Sequence, residues 1–445
     1  MSETSRNILY FALVAGLLLG TAIFQSANTA LFILNMGLIS AIMALGVNLQ
    51  WGFAGLFNVG VMGFVALGGL AVALTSMPPA PGAWAPSGGP MILLALAFGA
   101  ATVALAVYVQ KKMSAGRGKI LATIGILVVG FLIYRAIFDP AVGFVEAINS
   151  ANAGNIGGLN PGGENFKAHG YMTIVGWGFG GLLAAGAAWV IGKTALGLRS
   201  DYLAIATLGI AEIIIAIMKN EDWLARGVKN IIGLPRPVPY EIDLQNSESF
   251  VANANAIGID PVTASTLWVK LGYSVLFTIV LVVIFVMAQA ALKSPWGRMM
   301  RAIRDNEVAA EAMGKNVTNR HLQIFILGSA VCGIAGAMMT TLDSQLTPGS
   351  YQPLRFTFLI WVMVIVGGSG NNLGAVLGGF VIWFFWVQVE PIGLWLMQVI
   401  TSGMAEGSAL KAHLIDSAAH MRLLTMGLIL LLVLRFSPRG LIPEK

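Results

Sequence analysis

The chain has little charge: Asp, Glu, Lys and Arg together make up 10% of its 445 residues, against about a quarter in an ordinary soluble protein. So few charged groups cannot coat a water-facing surface of this size, which excludes a string of soluble domains despite the length. A single cysteine, Cys332 inside an apolar run, excludes a disulfide framework and a cysteine-built metal cluster. The four histidines, His169, His321, His413 and His420, show no metal-ligand spacing, and His413 and His420, seven apart, read as a solvated helix face. No Ser–His–acid set and no paired carboxylates stand out, so no catalytic constellation is expected.

Nucleotide motifs are also missing. Gly192-Lys193-Thr194 resembles the end of a Walker A loop, but Ala187 stands where that loop needs its first glycine. Gly176-x-Gly178-x-x-Gly181 matches a dinucleotide fingerprint, with Asp201 20 residues beyond. Both lie in apolar sequence with no strand–loop–helix unit around them, where glycine-rich membrane helices produce such matches by chance. The formal charge of +6 does not point to nucleic acid, because the basic residues sit in short loops between apolar blocks.

What is present is apolar sequence: 57% hydrophobic residues, with 54 Gly and 17 Pro scattered through apolar runs rather than gathered in polar tracts. A membrane-spanning helix needs about 20 mostly apolar residues. Candidate spans fall at about 8–24, 30–50, 51–75, 91–110, 120–138, 171–192, 200–218, 267–292, 321–342, 356–366, 375–400 and 423–434. The tenth and twelfth are short, so 10–12 spans are expected in an all-α, polytopic transmembrane helix bundle. The first run follows only Arg6 and has no small-x-small cleavage site before Asn28, so it reads as an uncleaved helix rather than a signal peptide. Three regions follow: N-terminal helices over 1–110, additional helices with a Gly/Asn-rich loop over 111–192, and a core over 193–445.

The loops orient this bundle. With the N-terminus inside, segments 1–7, 111–119, 193–199, 293–320 and 435–445 hold 16 basic and five acidic residues, while the outside segments hold eight basic and twelve acidic. Loops rich in Lys and Arg stay cytoplasmic, so both termini are expected inside. Two outside connections are long. Residues 139–170 are rich in Gly and Asn (Asn149, Asn152, Asn155, Gly157, Gly158, Asn160, Pro161, Gly162, Gly163), and 219–266 carries Leu234-Pro235-Arg236-Pro237-Val238-Pro239. Each is either a solvated connector or a docking surface for an external partner.

The inside segment 293–320 is the most informative. Ser294 suits an N-cap and Pro295 the first helical position. Met299, Ile303, Ala310 and Met313 fall at offsets 0, 4, 11 and 14, one face of a single helix of about four turns; the polar Asn306 interrupts that face, and Gly314 is placed to end the helix. An amphipathic helix of this kind either lies on lipid or seats in a protein partner. Asp305, Glu307 and Glu311 suit anionic lipid poorly and favour the protein.

The run Gly297-Arg298-Met299-Met300-Arg301-Ala302-Ile303-Arg304-Asp305-Asn306-Glu307-Val308-Ala309-Ala310-Glu311-Ala312-Met313-Gly314 resembles the cytoplasmic loop of LivM-type permeases of branched-chain amino-acid ABC importers. Four more segments are similar to that family in the same order: Gly55–Gly60, Gly197–Ile213, Gly367–Gly374 and Ser437–Leu441. The likeness covers about 37–75 and 195–442, while 76–170 matches less clearly. The chain departs from the general importer pattern: Glu307 lies seven residues before Gly314 instead of six, and the Ile-x-Leu-Pro ending is absent, as in the LivM variant.

The resemblance implies an ABC importer permease fold in a bacterial inner membrane, working with a second related permease, two cytoplasmic ATPases and a periplasmic substrate-binding protein. ATP and magnesium would sit on the ATPases, with no cofactor on this chain. The 298–314 segment would be the coupling helix, with Arg298, Arg301, Arg304, Asp305, Glu307, Glu311 and Gly314 as its working residues. Transport of aliphatic amino acids would then proceed by alternating access.

The path is read from the residues. Glu212 lies deep in a span, where an ionisable group either lines a path or is locked to a neighbouring helix. Asn48, Gln50 and Asn58 flank a glycine-rich break, Trp51–Gly55, and Gly367–Gly374 is a second one. Broken segments of this kind are tolerated where they face protein or a watery cavity. Gly16/Gly20, Gly176/Gly180 and Gly374/Gly378 read as helix-packing faces. The competing readings are a urea or short-amide permease within the same family and an ion-coupled secondary transporter, which would want more buried charges than Glu212 and Glu390. A membrane enzyme is a third, and lacks a visible polar reaction centre.

Overall fold

A computed structural model of the chain describes residues 3–114, 116–151, 170–405 and 408–444. The Gly/Asn-rich stretch from Asn152 to Gly163, together with His169, lies outside these residues. The elements in order are α1 (Glu3–Phe24), α2 (Ala27–Val47, continued by one π-turn over Asn48–Gly52), α3 (Val61–Ser76), α4 (Gly89–Lys112), α5 (Arg117–Ala151), α6 (Tyr171–Ala195), α7 (Ser200–Asn220) and α8 (Asp222–Ala225). They continue with β1 (Ile231–Ile232), α9 (Glu241–Gln245), α10 (Glu248–Ile257), α11 (Pro261–Lys293), α12 (Pro295–Asp305), α13 (Glu307–Ala312), α14 (Val317–Asp343) and β2 (Gln345–Leu346). The last are α15 (Pro353–Gly367), α16 (Asn372–Ile400), α17 (Ala409–Asp416) and α18 (Met421–Phe436).

Among the described residues nine helices are long and apolar enough to cross a membrane, and α17 with α18, bent by 57°, make a tenth. The chain is a multi-pass membrane protein. The third span begins at Val61 rather than at residue 51, because α2 runs on past Gly52 and residues 55–60 are not helical. The Walker-like and dinucleotide-like matches both fall inside α6, a continuous helix that offers no phosphate loop.

Among the described residues three apolar centres hold the bundle, the smallest of them Val14, Leu377 and Ile442, which joins α1 and α16 to the tail. The main one joins α2, α3, α6, α11, α14, α15 and α16, with Ile39, Ala41, Phe277 and Phe325 wholly buried. α2 is shielded all round, 83% of its most apolar window being buried, and forms the central post. A smaller centre of Ile92, Ala95, Phe138 and Val145 pairs α4 with α5. The α4–α5 hairpin thus straddles residue 110, while α6 packs on α3 and α14 in the main core.

Glycine allows the close crossings. A methyl at Gly336 would meet the Val65 backbone, one at Gly180 the backbone of Gly68, and one at Gly378 the carbonyl of Met363. Gly176/Gly180 and Gly374/Gly378 therefore are packing faces. Gly16 and Gly20 are not: nothing lies within 4 Å of the position a Cβ would take at either.

At the end away from α12 and α13, β1 and β2 form a two-residue antiparallel pair. Around it the Leu234–Pro239 stretch is fastened down. Leu234 is buried, Thr173 donates to the Pro235 carbonyl at 2.7 Å, and Arg236 bonds both Glu241 (2.8 Å) and Ser344 (2.9 Å). This loop is an ordered cover on the bundle.

Candidate functional site

Both glycine-rich breaks exist, and they touch. The first leaves α2 through its π-turn and needs Gly55 in the left-handed region, at φ +69°. The second ends α15 at Gly367 and turns through Gly368 (φ +119°) and Gly370 (φ +79°) into α16. Asn371 caps α16, accepting from Leu373 N at 3.0 Å and Gly374 N at 3.4 Å. Glycine is required here because such backbone angles penalise any Cβ.

Buried amides sew the breaks together. Asn48 donates to Asn372 at 3.0 Å and accepts from Gly370 N at 2.9 Å. Gln50 donates to Phe325 O (2.9 Å) and Ser329 (3.0 Å) and accepts from Asn58 at 2.8 Å. Asn58 in turn accepts from Gly60 N at 2.9 Å, and its carbonyl accepts from the Trp361 indole at 3.0 Å. None of the three amides is more than 1% exposed. In this structure Asn48, Gln50 and Asn58 are therefore buried fastenings inside the bundle. Asn48 and Asn58 satisfy backbone N–H groups that the breaks free from regular helix, at Gly370 and Gly60, while Gln50 ties the first break to α14.

The chain's tail closes the second break. Leu441 N bonds Val366 O and Ile442 N bonds Gly367 O, each at 2.9 Å, and Asn371 donates to Pro443 O at 3.1 Å. The Ser437–Leu441 segment and the Gly367–Gly374 turn, far apart in sequence, are one junction.

Arg304 connects this junction to the amphipathic segment. Its guanidinium donates to the Gly52 carbonyl at the end of α2 and to Glu444 of the tail, the latter at 2.8 Å, and also meets Asp305 at 3.3 Å. Burial works against its charge, but the hydrogen bond and charge of Glu444, with Asp305, outweigh this and raise its pKa.

The amphipathic segment is two helices, not one of four turns. Asn306 is extended (φ −157°), ends α12, and caps α13 by accepting from Ala309 N at 3.0 Å. Ser294 stands at the N-cap and Pro295 opens α12, as expected, but the Ser294 hydroxyl makes no capping bond and donates back to Ala291 O at 2.6 Å. The buried face of α12 is Gly297, Met300 and Ile303, with Met299 half-buried. Across the break the stripe is lost: Met313 is 79% exposed and Val308 77%. Gly314, at φ +74°, does end the segment. Trp296 and Arg320 both donate to Gln323 at 3.0 Å, clamping α12 to α14.

The structure thus sorts the charged residues singled out in the segment. Arg304 is bonded inward, and Arg301 is half-buried with one long bond to Leu292 O at 3.4 Å. Arg298, Asp305, Glu307 and Glu311 are exposed.

Glu212 is separate from all of this. Leu203, Thr207, Ala211, Ile215 and Met218 form the inward face of α7, while Glu212 is exposed on the outward side, near the middle of the helix. Among the described residues it neither enters the buried network nor locks to a neighbouring helix. Glu390, by contrast, is paired with Arg422 of α18.

Sequence reasoning missed Arg236, Thr207 and Glu444. Thr207, whose hydroxyl accepts from Val59 N at 3.1 Å, sits in the Gly197–Ile213 segment and was the one within reach.

The sequence profile of the family described as branched-chain amino acid transport system, permease component, matches residues 29–152 and 159–434. The chain is 29% identical over 203 residues to the high-affinity branched-chain amino acid transport system permease protein LivM of Salmonella typhimurium, covering 44% of this chain and 46% of that protein. It is 27% identical over 208 residues to LivM of Escherichia coli, covering 45% and 47%. To the probable branched-chain amino acid transport permease protein LivM of Methanocaldococcus jannaschii it is 28% identical over 248 residues, covering 56% and 61%. The chain spans about half the length of the bacterial relatives it matches. No solved structure matches. With the profile covering most of its length, the chain belongs to the family of branched-chain amino acid transport permease components.

Proposed function

We propose that the chain is one permease of an ATP-driven importer of branched-chain amino acids in a bacterial inner membrane. It works there with a second, related permease, two cytoplasmic ATPases carrying ATP and magnesium, and a periplasmic binding protein. The observation that carries this reading is the Arg304 connection. One guanidinium ties α12 to the end of α2, at Gly52, and to the tail that closes the start of α16, at Glu444. A displacement of α12 and α13 by an ATPase is passed to both broken spans at once. The exposed side of α13, with Val308, Met313, Glu307 and Glu311, is the seat for that ATPase.

The cargo path runs along the α7 face, between this chain and the second permease. Against lipid, an ionised side chain at mid-span costs roughly 3 kcal/mol on insertion scales and more in other treatments. A second permease over α7 removes that cost and leaves Glu212 facing a shared, hydrated path, where its carboxylate suits the ammonium of an amino acid. Glu390, partly exposed and paired with Arg422, is not the free buried charge that ion coupling would use, which counts against the secondary transporter.

The test is uptake of radiolabelled leucine into proteoliposomes holding the co-expressed subunits and binding protein. Uptake is expected to need internal ATP and to be competed by isoleucine and valine. Competition by urea or short amides alone would move the cargo to that class. Uptake driven by an ion gradient without ATP would overturn the reading. Arg304→Ala is expected to leave the subunits assembled and ATP hydrolysed, while leucine uptake falls by roughly tenfold or more, the size of a lost charge-assisted bond.

A further inference from the structure

We propose that the bundle end carrying α12 holds a specific site for the headgroup of an anionic phospholipid. A cavity of about 940 Å³ opens there between the first turns of α1, the last turn of α11, α12 and the cap of α16. Its polar upper wall carries Lys293, Arg301, Asn7 and Asn371, and its lower wall is apolar, with Ile8 and Phe11 of α1.

Three helix ends place this cavity at membrane-boundary depth. Lys293 is the last residue of α11, Asn7 is in the second turn of α1, and Asn371 immediately precedes α16. Polar groups therefore stand at headgroup level, with the apolar wall below them where an acyl chain begins.

The charges are arranged for an anion. Among the described residues no carboxylate lies within ion-pair distance of Lys293 or Arg301. Arg301 is half-buried, so its guanidinium is partly withdrawn from water with only a 3.4 Å bond to Leu292 O. One acidic group, Glu444, also lines the cavity, but it is held by Arg304 at 2.8 Å. A partly desolvated cation without a counter-ion is costly, and a phosphodiester between Arg301 and Lys293 supplies one. A zwitterionic lipid would bring its own ammonium towards the same two cations. A free phosphate would leave the apolar wall uncovered. Basic pockets between spans at this depth are suited to anionic headgroups.

This inference does not depend on ATPase docking. It is tested on the full chain, purified with its co-expressed subunits and offered phosphatidylglycerol or phosphatidylcholine, with bound lipid counted by native mass spectrometry. Phosphatidylglycerol is expected to be retained preferentially. In the Lys293→Gln/Arg301→Gln variant its affinity is expected to fall roughly tenfold or more, since each cation near an anionic surface contributes about a fivefold effect. Arg301→Lys, which keeps the charge, and Lys315→Gln, in the exposed turn beyond α13, are expected to retain the lipid. Equal retention of the two lipids, or retention unchanged by removing both charges, would overturn the proposal. So would displacement of phosphatidylglycerol by millimolar inorganic phosphate, which would identify a free-anion site.

Discussion

Gly60 shows how little room single residues have in this bundle. A methyl added there would run into the backbone carbonyl of Thr207, and backbone cannot swing aside as a side chain can. Overpacking of this kind costs about 1–3 kcal/mol, occasionally more. Gly60→Ala is therefore expected to lower the thermal unfolding midpoint in mild detergent by several degrees. Gly178→Ala, where nothing lies within 4 Å, is expected to leave it unchanged or slightly raised. The same scale applies to Gln50, which bonds Phe325 O, Ser329 and Asn58. Gln50→Leu strands those groups in a dry interior and is expected to cost about 1–3 kcal/mol per unsatisfied group, by the same unfolding measurement. Polar residues such as Asn48, Gln50 and Asn58 stand out in an apolar run. Their partners do not, because Phe325 and Ser329 are 275 and 279 positions away. With 54 glycines in the chain, the sequence alone also does not single out Gly60 from Gly178.

The proposed coupling belongs to the elements. α12 is anchored through Met300 and Ile303, the Trp296–Gln323 bond and Arg304, whereas α13 has no buried residue and leans on its cap. Asn306→Ala removes the side chain that accepts from Ala309 N, a loss of about 0.5–2 kcal/mol at a helix start. In a helix of six residues, that is expected to loosen α13 as a unit, read as faster amide exchange over 307–312 with α12 unchanged. Val308→Asp with Met313→Asp places charge on the exposed apolar side of α13. It is expected to abolish ATPase co-purification without moving the unfolding midpoint of the membrane helices. The amphipathic character of this segment was legible in its spacing, and Gly314 marked its end. The break was not, because Met299, Ile303, Ala310 and Met313 keep a helical period straight through Asn306, whose extended backbone then turns Met313 out to 79% exposure. The Arg304 junction was hidden for another reason. Its partners Gly52 and Glu444 lie 252 and 140 residues away, and only the packed bundle brings them together.

At the scale of the whole molecule the two ends differ in what they gather. One collects α12, α13, the two helix breaks and the tail around Arg304; the other collects β1, β2 and the Arg236 cover. The segments that meet around Arg304 are among those the charge partition puts on one side, with 16 basic residues against five acidic. Since Lys and Arg in short loops favour the cytoplasmic side, that end is expected inside the cell. The chain also supplies its own clean background for a test, since its single cysteine, Cys332, is 1% exposed and so shielded from a water-soluble reagent. Ser249→Cys, exposed on α10, is expected to react with a membrane-impermeant maleimide in intact spheroplasts, and Lys315→Cys only after permeabilisation. The opposite pattern would put α13 outside the cell, beyond the reach of any ATP-hydrolysing partner. Labelling of both in intact spheroplasts would mean that α11, the one long apolar helix between the two positions, does not cross.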